Sequence, residues 1–167
     1  MTYENHRRAC AGFTAVVDAV PVDGWSRPTP CADWDARGVV EHVIGFHDVL
    51  VLRPLDAKPH RPRDDVPARW RLTADALAAL TGEPPDVLPA LTTDVLIHTW
   101  DLARALGVEP ALDRELCVAA YESMRVHADG LAPSGMFGSR VTVADDADVV
   151  GQLIALSGRD PAWAPTS

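Results

Sequence analysis

Positive charge is scarce in this 167-residue chain. Lys58 is its single lysine, and 15 Lys and Arg against 24 Asp and Glu leave a formal net charge of −9. Nucleic acids and anionic membrane surfaces select clustered Lys and Arg, so neither is an expected partner and a small molecule or another protein is left. Cysteine is equally sparse. Cys10, Cys31 and Cys117 are odd in number and far apart, which argues against a disulfide framework or a CxxC zinc knuckle and for free thiols in a reducing compartment. No run approaches the roughly 20 apolar residues of a membrane span, and the opening "MTYENHRRACAGF" is polar where a signal peptide needs an apolar segment. The expectation is a soluble, cytoplasmic protein.

The 47% hydrophobic content suits one globular domain over residues 1–167, long enough to bury roughly two-thirds of its unfolded surface without staples. Its apolar spacing is helical. His6, Cys10, Phe13, Val17 and Val20 recur at threes and fours over residues 3 to 20, and Pro21 ends that first helix. A loop rich in Pro, Asp and Ser follows, with Asp33 or Asp35 placed to cap a second helix over residues 36 to 52. Four prolines in "RPLDAKPHRPRDDVP" then impose a loop of about 14 residues, a length common in lids and binding segments. Helical spacing returns over residues 67 to 81, 87 to 106, 110 to 128 and 146 to 157, while residues 130 to 145 read as a loop or one short strand. The sum is an all-α bundle of four main helices with extras.

One stretch contradicts its own pattern. In "TTDVLIHTWDLARAL", residues 92 to 106, a projection at about 100° per residue puts Asp94, His98 and Asp101 within roughly 60° of one another. Ala90, Leu91, Leu102 and Ala105 share that arc, so the acids point toward a core, where a carboxylate is costly unless paired, hydrogen-bonded or metal-bound. Asp94 and His98 are spaced i, i+4, so both can reach one ion. In the second helix Val39, Val43, Phe46 and Leu50 define a buried stripe, Arg37, Glu41 and Asp48 lie opposite, His42 projects inward and His47 falls at the solvent boundary. His42 would complete three ligands of a kind that suits zinc, nickel or ferrous iron and leaves a position open for substrate. The plainer reading, an ion pair or a hydrogen-bonded core histidine, stays open beside it.

The blocks "WSRPTPCADWDARGVVEHVIG", "DVLIHTWDLARALG" and "GRDPAW" resemble the actinobacterial DinB-like metal-binding proteins, relatives of mycothiol-dependent maleylpyruvate isomerase. The resemblance implies a DinB/YfiT-like four-helix bundle with additional short helices. It also implies a divalent metal, zinc first and nickel or iron as alternatives, held by His42, Asp94 and His98. The isomerase branch usually carries Glu at the acidic position, so Asp94 is one methylene shorter. A thiol cofactor follows from the same resemblance, mycothiol or another low-molecular-weight thiol, in a transferase or isomerase acting on a small electrophile.

Other residues carry two readings each. Asp101 either orients a ligating histidine from behind or pairs with an arginine or a helix end. Cys31 is a reactive thiol or a buried structural one, and His127 a fourth ligand or a helix-terminal histidine. Arg53, Lys58, Arg61 and Arg63 clamp an anionic substrate or sit in solvent, and Trp34 and Trp100 wall the pocket or pack. A non-catalytic metal-binding or ligand-binding bundle, or a metal-free enzyme on the same scaffold, is the alternative function, and a homodimer is left open.

Overall fold

The computed structural model describes residues 1–110 and 112–165. It is all-α, with no β-strand among the described residues: α1 Tyr3–Asp18, α2 Ala36–His47, α3 Val66–Ala78, α4 Leu88–Leu106, α5 Arg114–Arg125, α6 Ala128–Leu131 and α7 Val149–Leu156. Helices α1 to α4 pack as a four-helix bundle, α1 against α3 and α4, α2 against α3 and α4, while α5 rests on α4 and is covered by α7. Among the described residues no helix is long and apolar enough to cross a membrane.

Local chemistry sets the helix starts. Thr2, Asp35, Asp65, Asp113 and Asp148 each take an orphan backbone N–H with a side-chain oxygen. Of the two candidate caps before α2, Asp35 does the capping, accepting from the Gly38 amide at 2.8 Å. The cap at Asp113 starts α5 at Arg114, not at Pro110, and α5 ends at Arg125, so the continuous helix expected through Ala128 is broken before α6. His127 therefore leaves the apolar face, is exposed, and is no fourth ligand. Residues 132 to 145 form turns and loop, with no strand.

The core is built on Phe13, Val39, Val40, Val43, Ile44, Trp70, Leu91, Leu96 and Ile97, all buried. Phe13 and Trp70 meet edge to face at 4.8 Å, and the Trp70 indole N–H donates to the Thr14 hydroxyl at 2.9 Å. That bond satisfies the one polar atom the indole buries.

The second helix departs most from its projected pattern. Its last turn, Asp48–Leu52, is a π-helical turn, with the Arg53 amide donating to the Asp48 carbonyl at 2.9 Å. Within the regular turns of α2 the buried stripe is Val39, Val40, Val43, Ile44 and His47, centred away from Phe46, and the wider turn that follows brings Asp48 inward and leaves Leu50 outside. Leu50 is 39% exposed and Phe46 37%, whereas Asp48 is 6% exposed and His47 fully buried. His47 is therefore a core residue rather than a boundary one.

Burying Asp48 requires cations. Arg61 donates to both its carboxylate oxygens, at 2.9 and 2.7 Å, and Lys58 lies 3.3 Å away. Two of the four basic residues of the long loop are thus spent holding that loop to α2, and no residue between 53 and 67 lines the pocket at His42. Of the roles open to a loop of this length, the structure shows a strap on α2 that does not line the pocket. Removing one partner of a buried pair strands the other, so Asp48→Ala is expected to lower unfolding free energy by about 3 kcal/mol. Leu50→Gln, on the exposed side of the same turn, should change it by no more than about 0.5 kcal/mol. Urea denaturation of both variants checks the ranking, which a regular α-helical register would reverse.

Candidate metal centre

The site begins with the loop before α2. The Thr29 hydroxyl donates within reach of the Trp34 and Cys31 carbonyls, at 2.7 and 3.0 Å, and accepts from the Cys31 amide at 3.2 Å. Folded back this way, the loop lays Trp34 on the His42 ring, centroids 4.2 Å apart and planes 25° from parallel. A Cβ on Gly38 would lie 2.9 Å from the Trp34 Cβ, so glycine there is what lets the indole sit against α2.

The structure brings His42, Asp94 and His98 together. His42 Nε2 is 3.3 Å and His98 Nε2 3.4 Å from the same oxygen, Asp94 Oδ1, and one donor atom from each residue lies within 4.8 Å of the others. The two imidazole rings are 4.8 Å apart and nearly perpendicular. Asp94 Oδ2 is buried with no hydrogen-bond partner. An orphaned carboxylate oxygen in this position is costly, and a cation among the three side chains would satisfy it together with both Nε2 atoms. The residues therefore fit a metal ion.

Behind His98 sits a buried charge chain. His98 Nδ1 donates to Asp101 Oδ2 at 2.8 Å, and Arg159 donates to both Asp101 oxygens, at 3.3 and 3.1 Å, and to the Ser157 carbonyl at 3.0 Å. Asp101 is fully buried; it touches His98 and pairs with an arginine. An ionised carboxylate only accepts, so the proton is on Nδ1 and Nε2 is the atom aimed at Asp94. Burial alone would lower the His98 pKa, but the Asp94 charge and the hydrogen bonds to Asp101 and Asp94 outweigh it and hold the ring up at about 9. Burial likewise would raise Asp94, and the His98 and His42 rings drive it the other way, well below the carboxylate range. Without a metal the cluster is an imidazolium beside a carboxylate.

The cluster forms the floor of a pocket of ≈580 Å³. One wall is residues 30 to 34, another Phe46 and Ile97, and a third the Gly135–Gly138 loop with Ser157, Gly158 and Arg159. Gly158 has φ +85, and a Cβ there would fall 2.5 Å from the Gly138 Cα, so this glycine pins the third wall in place. Trp34 lines the pocket and Trp100 does not; Trp100 is buried under the Arg104 guanidinium, 5.6 Å from its ring centroid. Cys31 lines the pocket as a thiol that burial pushes above its ordinary pKa, with the Arg159 charge opposing.

Residues 6–103 match the family described as the mycothiol maleylpyruvate isomerase N-terminal domain. The chain belongs to that family. It is also 32% identical to two uncharacterized proteins of Mycobacterium tuberculosis, one from strain CDC 1551 and one from strain H37Rv, over 92% of this chain and 95% of each relative. No solved structure matches. In this member of the mycothiol maleylpyruvate isomerase N-terminal domain family the matched segment contains His42, Asp94, His98 and Asp101 but stops short of Arg159 and the Gly135–Gly138 wall.

Arg159 and that wall are what the sequence reading missed. "GRDPAW" stood out as a block without a role for its arginine; the available signal was the buried Asp101, whose charge demanded a cation from elsewhere in the chain.

Two outcomes follow from the charge chain. A folded-state pKa raised from 6.5 to about 9 contributes stability that is complete below pH 6.5 and lost as pH rises through 9. In chelator, melting temperature should fall between pH 6.5 and 9, and the fall should be absent from His98→Gln. Asp101→Asn should weaken zinc binding by about 10- to 100-fold, as loss of a ligand's outer hydrogen-bond partner does, measured by competition with a chromophoric chelator.

Proposed function

We propose that the protein is a divalent-metal-dependent enzyme, zinc being the ion its donor set suits, which uses mycothiol or another low-molecular-weight thiol in a transferase or isomerase reaction on a small electrophile. The observation that carries this reading is the orphaned Asp94 Oδ2 beside two converging Nε2 atoms at the floor of an ≈580 Å³ pocket. His42, Asp94 and His98 would be the ligands, and three protein ligands leave a position open toward the pocket. A dication there supplies Lewis acidity and favours the thiolate form of a thiol that reaches it.

The chain's own residues do the rest. Trp34 fixes the His42 ring by stacking, and Asp101, held by Arg159, fixes the tautomer of His98. Phe46, Ile97, Met136 and Phe137 offer apolar walls for the carbon skeleton of a substrate and keep water from it. Cys31 is held as a thiol by burial, so the nucleophile is assigned to a bound cofactor, in keeping with the mycothiol in the family's name. Arg159 is committed to Asp101 and the Ser157 carbonyl, which makes it a positioning residue and not a clamp for substrate.

One observation favours a second reading, a metal-binding or ligand-binding bundle without catalysis: the only carboxylates among the described lining residues are Asp94 and Asp33, and Asp33 is exposed at the rim. Thiol consumption with a panel of small electrophiles separates the two. Zinc-loaded protein should consume thiol at least about 100-fold faster than chelated protein or than His98→Ala and His42→Ala that retain helical circular dichroism, the equivalent of the several kcal/mol a Lewis acid supplies. Bound zinc without thiol consumption supports the binding reading, and consumption that survives chelation contradicts a role for metal.

A further inference from the structure

A second convergence of donors lies in the core between α1, α2 and α4. His6 and Cys10 are spaced i, i+4 on α1, and His47 ends α2; all three are buried, and one donor atom from each lies within 4.8 Å of the others. His6 Nε2 is 3.0 Å from His47 Nε2 and 3.5 Å from Cys10 Sγ. His42 and His47 are five residues apart on α2, about 7.5 Å along the helix axis, so this group is separate from the one at the pocket floor.

The hydrogen bonds behind the two rings decide which atoms face each other. His47 Nδ1 lies 2.6 Å from the Val43 carbonyl, which can only accept, so the proton is on Nδ1 and Nε2 carries a lone pair. His6 Nδ1 lies 2.9 Å from the Thr92 hydroxyl, whose own hydrogen goes to the Leu88 carbonyl at 2.8 Å. The hydroxyl oxygen then accepts from His6 Nδ1–H, and His6 Nε2 carries a lone pair as well. Two lone pairs 3.0 Å apart repel. The other tautomer of His6 relieves this only by taking the Thr92 hydrogen away from Leu88 and by setting an N–H where the Cys10 thiol needs an acceptor. A cation between the three atoms removes the conflict and keeps every hydrogen bond.

We propose that His6, Cys10 and His47 form a second metal site for a borderline-soft cation of the zinc class. Two imidazoles and a thiolate are a zinc and copper donor set. Donors on a tetrahedral zinc ion stand roughly 3.3–3.8 Å apart, given metal–ligand distances of about 2.0–2.3 Å; the 3.5 Å spacing of His6 and Cys10 falls in that range and the 3.0 Å spacing of the two histidines lies a few tenths of an ångström below it. Each histidine already donates its far N–H to an oxygen, the arrangement that orients a metal-ligating imidazole. Access is provided by a cleft of ≈180 Å³ between α1 and α3, lined by His6, Cys10, Thr14, Ala74, Leu77 and Ala78. On binding, the thiol loses its proton to solvent and the sulfur becomes an anionic ligand.

Cobalt(II) titration of the chelator-stripped full chain tests this, because a cysteine thiolate bound to cobalt gives a near-ultraviolet charge-transfer band that histidine and carboxylate ligands do not. Wild type should take up two equivalents and show the band. His42→Ala should take up one and keep the band, and Cys10→Ser should take up one and lose it, while Cys31→Ser and Cys117→Ser retain both. Uptake without a thiolate band in wild type and His42→Ala overturns the proposal and leaves the Thr92–His6–His47 relay as a hydrogen-bond chain only. A band that survives Cys10→Ser overturns it equally. Should Cys10→Ser fail to fold, the wild-type and His42→Ala titrations decide alone.

Discussion

The buried contact of Asp101 with His98 and Arg159 is the constraint around which the site is arranged. A carboxylate with no exposure stays ionised only if positive partners meet it, and Asp101 has two, one from its own helix and one from 58 residues further along the chain. Arg159 joins the segment after α7 to α4, while His98 is turned so that Nε2 faces Asp94 across the helix. What would otherwise be a costly burial of charge thereby becomes the device that aims the His98 imidazole.

The facing imidazole, that of His42, is held by packing instead of charge. His42 meets two aromatic rings, Trp34 stacked at 4.2 Å and Phe46 tilted by 49° at 4.2 Å, and Trp34 owes its position to the Thr29 hydrogen bonds and to the missing Cβ of Gly38. Two short blocks of sequence thus deliver one histidine each, by different physics, to the two sides of a single carboxylate. The third wall depends on a backbone contact between Gly138 and Gly158. Because Gly158 directly precedes Arg159, the same segment closes the pocket and supplies the counter-charge.

What was legible in the sequence is what depends on helix periodicity alone. Asp94, His98 and Asp101 could be placed on one face because α4 runs unbroken through all three, and His42 because it precedes any irregularity in α2. Projection misplaces the centre of the α2 stripe, at Phe46 and His47, and fails again where a helix stops being regular. The π-helical turn after His47 moved Asp48 in and Leu50 out, and the break after Arg125 took His127 off its projected face. Phe46 is apolar yet 37% exposed, and its surface walls the cavity. The convergence of His6, Cys10 and His47 stayed hidden for the same reason as that of Arg159: a contact between elements distant in sequence leaves no periodic trace, and only the demand of a buried polar group for a partner hints at it.

Everything proposed for the site requires that a cation complete the cluster at the pocket floor. The most direct measurement is a crystal structure of the protein grown with zinc, with diffraction collected on both sides of the zinc absorption edge. The expected result is an anomalous peak in contact with His42 Nε2, His98 Nε2 and Asp94, with the His98–Asp101–Arg159 chain unchanged. A map with no peak there, in which Asp94 Oδ2 is satisfied by a protein group or a water, would contradict it.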